Sequence, residues 1–392
     1  MDAAPTRATS IDAYRGFVMF LMLAEVLHLP RVAKQFPESP FWQTVLFHTT
    51  HVEWRGCSLH DLIQPSFSFL VGAALAFSVA RRQSAGQTLP RASLHAAWRA
   101  GLLIALGIVL RSEGKPQTNF TFEDTLTQIG LGYFPLFLLA WARRGRLLWH
   151  GLTIALLLLA YWTAFAVLPA DLPNSVREPA PWLHHLHGFE SHWEKNDNFA
   201  WFIDTGFLNL FPRGSAFVKN GGGYATLSFF PTLATMLLGL MAGGWMRSGM
   251  SPWKKVGLFA AVGGGLLFAG WGFDALGVCP MVKRIWTPSW VLFSGGWCFV
   301  LLAFFHAATD AIGHRGWSYP LRVIGANSIL IYCVAEVPIA AFIVGTFKTH
   351  FGPDVFQLAG PIAEPVVAGA AVLAVYWSVL WWLYAKKVFV RI

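Results

Sequence analysis

Charge is the first thing this chain lacks. Of its 392 residues only 12% are Asp, Glu, Lys or Arg, 20 of them acidic and 29 basic, whereas 55% are hydrophobic. A water-soluble domain carries about 25% charged residues, so the composition excludes a free-standing soluble protein. Cysteine is scarce as well. Cys57, Cys279, Cys298 and Cys333 show no CxxC spacing and mostly fall in or beside apolar runs, so they define neither a redox motif nor a compartment. His184, His185, His187 and His192 have no recognised ligand spacing, and no metal is expected. GxxxxGK[ST], HExxH and a defensible GxSxG are missing, which removes the motif grounds for a P-loop NTPase, a zinc protease or a nucleophile-elbow hydrolase. The chain has no 20–50-residue period, no low-complexity tract and no convincing inverted repeat.

What it has is length in apolar runs. Stretches able to cross or nearly cross a bilayer lie at about 13–30, 61–80, 96–111, 126–142, 148–168, 226–246, 255–273, 289–311, 320–346 and 366–385. An outer-membrane barrel would instead alternate over about ten residues. The expected fold is therefore all-α, one polytopic integral membrane bundle of about ten transmembrane helices over residues 1–392. Its 19 Trp, 33 Phe and 8 Tyr suit the bilayer interface. The first run lacks a small-residue cleavage site and is expected to be a retained helix.

The net charge of +9 is spread in a way that sets topology and gives no reason to expect nucleic acid. Basic residues cluster in 81–95, 143–147 and 247–255 and in the tail; with Arg7, Arg15, Arg99, Arg315 and Arg322 they place 17 Lys and Arg on one side against Asp2, Asp12 and Asp310. The other side holds 12 basic and 17 acidic residues. The positive-inside rule then puts both termini in the cytoplasm, and the long loops 31–60 and 169–224 on the opposite face. Loops of that length are commonly functional.

Ionisable groups at membrane depth cost several kcal/mol unless they face a bundle interior. Glu25 and His28 near the end of the first span, Asp61 at the start of the second and Glu336 in the ninth are the candidates. Asp61, Gln64, Ser68 and Gly72 recur at helical spacing, as do Ser328, Tyr332 and Glu336, and such polar stripes are expected to face inward. For Gln64 and Ser328 interhelical hydrogen bonding explains the pattern as well as function does. His51 precedes Asp61 by ten residues, a spacing compatible with a base and its orienting carboxylate, and equally with a loop histidine bonded locally.

SIDAYRG from Ser10, HVEWRGCSLHDLIQPSFSFLVGAAL from His51, FIDTGFL from Phe202, PMVKRIWTPSW from Pro280, GANSILIY from Gly325 and the closing LYAKKVFVRI together resemble the transmembrane N-acetyltransferases typified by heparan-α-glucosaminide N-acetyltransferase and its bacterial relatives. The resemblance runs in order over nearly the whole chain. It implies acetyl-CoA as cytoplasmic donor, the amine of a glucosamine-type sugar on the far side as acceptor, and a path between them through the membrane. It matches His51, with Trp54 and Gly56 after it, to the family's essential histidine, and Asp61 to the acid opening the next helix. It also carries over Lys283 and Trp286, and the pair Asn327 and Ser328. Glu25 stands where the family often has Asn, and Thr127-Gln128 where it often has Leu-Gln-Arg, so the acceptor is not fixed by the match.

Acyl transfer to a sugar amine needs a base for the amine proton and a donor for the developing oxyanion. His51, with a reference pKa of about 6.5 for the residue type, suits the first need, Asp61 orienting it. Direct transfer in a ternary complex is the favoured route, and an acetylated His51 the alternative. The donor's phosphates call for arginines on the cytoplasmic face, and Arg15, Arg81, Arg82, Arg99 and Arg322 are the available set. Gly72, Gly101 and Gly107 are candidates for leaving room for the pantetheine arm. Substrate contacts are expected from Glu25, Trp54, Lys283, Trp286, Asn327, Ser328 and Glu336. The expected partners are an amino sugar and the lipid bilayer; the oligomeric state, a homodimer among the options, is not fixed. The rival readings are an O- or N-acyltransferase for a cell-wall or lipid-linked saccharide, and a sugar transporter.

Overall fold

The computed structural model describes residues 9–142 and 147–390. Arg7, Asp2, Arg143, Arg144, Arg146 and Arg391, which enter the charge asymmetry, lie outside the described residues. Fifteen α-helices follow in order: α1 (Thr9–Leu23), α2 (Leu29–Ala33), α3 (Pro40–His48), α4 (Ile63–Ser84), α5 (Leu89–Arg111), α6 (Thr125–Ala142), α7 (Leu147–Val167), α8 (Phe199–Phe207), α9 (Phe229–Met246), α10 (Pro252–Ala275), α11 (Pro288–His306), α12 (Tyr319–Gly325), α13 (Ser328–Glu336), α14 (Ile339–Phe351) and α15 (Glu364–Ala385). The only sheet among the described residues is the two-residue hairpin pair β1 (Trp193–Glu194) and β2 (Asp197–Asn198). Among the described residues eight helices are long and apolar enough to cross a membrane, nine if α13 and α14 count as one broken span. The chain is an all-α, multi-pass membrane protein.

All ten expected runs are helical, but two depart from a simple span. In the first, α1 ends at Leu23, a 3₁₀ turn covers Ala24–Leu27, and His28 sits at φ +48° before Pro30. Fifteen helical residues reach only roughly 23 Å at 1.5 Å per residue, short of a hydrocarbon core of about 30 Å. In the ninth, Val337 is extended, and α13 and α14 meet at 69°. Pro338 removes a helical N–H and drives its predecessor out of helical geometry, which breaks the run there.

The chain divides into two compact units. One comprises residues 53–56 and 64–304. In it α9 is buried on nearly every side, which explains why it is apolar all round. Contact with α4 depends on glycines: a β-carbon on Gly72 would meet the Met236 carbonyl, one on Gly239 the Phe69 carbonyl and one on Gly243 the Ala73 carbonyl. Gly107 is closed in the same manner by the Asp124 and Thr127 side chains. Gly72 and Gly107 therefore serve helix packing and leave no channel, contrary to the expectation drawn from their size; Gly101 alone has open space beside it. A second core joins the end of α7 to the loops, with Trp54, Tyr161, Phe165, Trp193, Val282 and Ile285 all buried. Phe165 and Trp193 stack at 6.1 Å.

The other unit comprises residues 9–52, 57–63 and 305–390. Here α1 packs on α12 and α13, and α15 packs on 24–27, α2, α12 and α14. Gly16 again marks a backbone crossing, its missing β-carbon replaced by the Leu321 backbone. Tyr14 stacks on Phe305 at 5.4 Å, and Phe305 on Trp317 at 5.9 Å.

Candidate functional site

The segment between α3 and α4 is short of apolar residues, so side chains must satisfy its backbone. Thr50, Ser58 and Asp61 do so. Asp61 Oδ2 accepts the N–H groups of Val52 at 3.2 Å and Ser58 at 3.1 Å. Ser58 Oγ lies 2.9 Å from the same oxygen and 2.7 Å from the Thr50 carbonyl, and its single proton serves one of them at a time. The Asp61 N–H closes the turn onto Ser58. Asp61 is only 1% exposed, and these donors compensate the loss of water around its carboxylate.

The remaining oxygen, Oδ1, lies 2.8 Å from His51 Nδ1. A carboxylate only accepts, so Nδ1 carries the proton of this contact. The His51 side chain is 41% exposed. The arrangement is an imidazole base held in one tautomer by a buried acid, with its basic nitrogen turned away from that acid.

His60 completes this cluster and was not singled out by its sequence. Its ring centroid is 4.3 Å from that of His51, and its Nε2 is 3.4 Å from Glu25 Oε1. Sequence spacing gave no sign of the second contact, because Glu25 reaches His60 from the far end of α1. His48 accepts the Leu59 N–H through Nδ1 at 3.3 Å and supports the loop.

In the same unit, Asn327 is fully buried and has both amide atoms committed to backbone: Nδ2 donates to the Val388 carbonyl at 3.2 Å, and Oδ1 accepts the Val390 N–H at 2.8 Å. Ser328 and Glu336 are half-buried at opposite ends of α13. Arg15 lies 3.5 Å from Asp12, and Arg322 sits over the Tyr319 ring at 5.9 Å.

In the unit containing 64–304, residues 53–56 pair with the loop before α11. Gly56 N donates to the Met281 carbonyl at 2.9 Å, and Arg55 forms a bridge with Val282. Arg55 also binds the Asp274 carboxylate at 2.9 Å and Glu190 at 3.1 Å. Trp54 is buried and donates Nε1 to the Trp193 carbonyl at 3.1 Å. The Trp182 indole N–H reaches Glu53 at 3.0 Å and holds that carboxyl below its ordinary range. Lys283 and Trp286 lie on the paired loop, both buried. Trp286 adopts φ +52°, a strained conformation for a bulky residue, and donates Nε1 to Thr235 Oγ1 at 3.1 Å. Trp54, Lys283 and Trp286 are thus drawn to one loop pair.

Arg82 and Arg99 also come together. Arg82 binds Gln87 at 3.1 Å and His95 Nδ1 at 3.3 Å, and Arg99, one turn beyond His95, donates to Tyr133 Oη at 3.2 Å with its guanidinium over that ring. Arg81 is exposed. Among the histidines of 184–192, His185 pairs with Glu194 at 3.1 Å and His192 with the Phe189 carbonyl at 3.0 Å. Among the described residues no group of three or more candidate ligands is gathered for a metal ion.

A further buried acid stands out on α8. Asp204 is 2% exposed; Oδ2 accepts the Thr226 N–H at 2.9 Å, and burial lifts its carboxyl to about 7, hydrogen bonding to Thr226 offsetting only part of the effect. Beside it Gln128 is buried and donates to the Thr226 carbonyl at 3.1 Å.

Over 110 residues the sequence is 28% identical to human heparan-alpha-glucosaminide N-acetyltransferase. The matched stretch is 28% of this chain and 14% of that protein, so it spans a small part of the relative's length. No family model matches the chain.

Proposed function

We propose that this protein is a transmembrane N-acetyltransferase that moves acetyl from cytoplasmic acetyl-CoA to the amine of a glucosamine-type sugar at the periplasmic face of a bacterial inner membrane. One observation carries the reading: a partly exposed imidazole fixed by a buried carboxylate, in a chain that partly resembles an acetyltransferase. The amine nitrogen attacks the thioester carbonyl in a ternary complex, the new C–N bond forms and the C–S bond breaks. His51 Nε2 takes the N–H proton and returns it to the departing thiolate, so the imidazole ends neutral. Asp61 keeps Nδ1 protonated and balances the transient imidazolium.

Arg82 and Arg99 are the favoured phosphate contacts for the donor, because they form one basic cluster within their unit; Arg15, Arg81 and Arg322 complete the candidate set. Glu25, close to the base through His60, is the favoured acceptor contact. Trp54, Lys283, Trp286, Ser328 and Glu336 remain proposed acceptor contacts, whereas the Asn327 amide already holds residues 388–390. His51→Ala is the test. It should abolish most acetyl transfer to glucosamine while leaving the thermal shift induced by CoA; near-normal turnover would sink the assignment.

A further inference from the structure

The chemistry of the proposed reaction poses a proton problem that one histidine does not solve. A sugar amine in water near neutral pH is largely an ammonium ion, which has no lone pair with which to attack. Two protons must therefore leave the nitrogen: one before attack, and one as the tetrahedral adduct collapses. The thiolate leaving group takes back only one. The other has to reach bulk water, and His51 is occupied with the proton that shuttles between nitrogen and sulfur.

The structure holds a second imidazole–carboxylate pair against the first. His60 and His51 have ring centroids 4.3 Å apart, and Glu25 Oε1 stands 3.4 Å from His60 Nε2. The two acids differ in access. The Asp61 side chain is 1% exposed and that of Glu25 57%, with His51 at 41% and His60 at 12% between them. A sealed acid cannot hand a proton to water, whereas an exposed one can.

We infer that His60 and Glu25 form the proton exit of this site: Glu25 and His60 take the first proton from the arriving ammonium and pass it to water, leaving His51 and Asp61 free for the second. This assignment rests on the acetyltransferase reading. No bond other than N–H and O–H or ring N–H changes in the step, and the charge lost by the ammonium appears in bulk solvent. The other titratable or charged groups on the surrounding elements are His28 and Arg31 just beyond Glu25, His48 on α3, Glu336 on α13 and Glu364 on α15, the last held by Lys348 at 2.7 Å. His48 already accepts the Leu59 N–H, whereas the Glu25 and His60 pair combines ring contact with His51 and an exposed carboxylate.

The test is the pH profile of kcat/KM with acetyl-CoA and glucosamine for the full-length protein and for His60→Gln and Glu25→Gln. His60→Gln should lose about tenfold or more at about pH 6, at least the lower part of the range for general acid–base removal, and much less at about pH 9, where the amine is already neutral; Glu25→Gln, which also removes an acceptor contact, should lose about tenfold more at about pH 6 than at about pH 9. A uniform loss at all pH values would mean a structural role and would overturn the exit. Failure of the underlying reading looks different, since His51→Ala would then keep its activity at every pH.

Discussion

His51 Nδ1 and Asp61 Oδ1 lie 2.8 Å apart across a ten-residue loop whose own backbone donors fill the other carboxylate oxygen. Because the acid is held by its loop and not by the histidine, Asp61→Asn should leave the segment in place while spoiling the tautomer of His51. A loss of 10²–10⁴-fold, about the range seen when an orienting carboxylate or a general base is removed, is expected in kcat. Stabilisation by CoA should persist in thermal unfolding. A fall of less than about threefold in kcat would separate Asp61 from the chemistry.

Asp204 makes stability depend on pH. Its folded-state pKa of about 7 lies above the ordinary carboxylate value of 3.8, so between those limits the native state binds more protons than the unfolded one and stability falls as pH rises. The full span is worth up to about 4 kcal/mol at 1.36 kcal/mol per pKa unit. Wild-type protein should therefore melt higher at about pH 5 than at about pH 8, and Asp204→Asn should flatten that difference while keeping an acceptor for the Thr226 N–H. An unchanged slope in the variant would place the titration elsewhere.

The crossing of α4 and α9 has no room for a side chain at Gly72 or Gly239, where the nearest atoms are backbone carbonyls that cannot rotate aside. Gly239→Leu should cost several kcal/mol, as overpacking at an unyielding contact does, and appear as lost folded yield in size-exclusion chromatography. Gly101→Leu, facing open space, is the matched control and should fold.

Arg99 donates to Tyr133 and lies one turn from the His95 that Arg82 binds. If this cluster holds the donor's phosphates, Arg99→Ala should raise the KM for acetyl-CoA about tenfold or more, since a charge-assisted hydrogen bond is worth about 1.5–3 kcal/mol, and leave the KM for the sugar within twofold. Arg81→Ala, at an exposed position, should do less. Equal effects on both substrates would remove the cluster from donor binding.

The charge asymmetry predicts which loops face the cytoplasm. In a cysteine-free background, Leu183→Cys, at a position 92% exposed, should react with a membrane-impermeant maleimide added to spheroplasts, and Ala85→Cys only after permeabilisation. The reverse pattern would invert the topology.

The sequence determined the membrane class, the helical content and the position of every long apolar run, because burial in hydrocarbon is decided by composition over about twenty residues and needs no partner. It kept His51 and Asp61 within reach, since ten residues are few enough for the spacing to limit the geometry, but left their pairing open. Where a run would bend was less legible: Pro338 is visible in the sequence, yet helix breaks at proline depend on what neighbouring helices allow.

Only the tertiary structure decided the rest. Gly72 and Gly107 are ambiguous in sequence between a gap and a crossing, and the approach of another chain segment settles each in favour of a crossing. Asn327 reads as a polar residue awaiting a ligand until residues 388–390 return to occupy it. Glu25 and His60 are remote along the chain, and Asp204 is an ordinary loop acid until Thr226 and the loss of water surround it. In each case the property belongs to a pair or an environment brought together by folding, and a linear pattern records residue types but not which distant backbone will lie beside them.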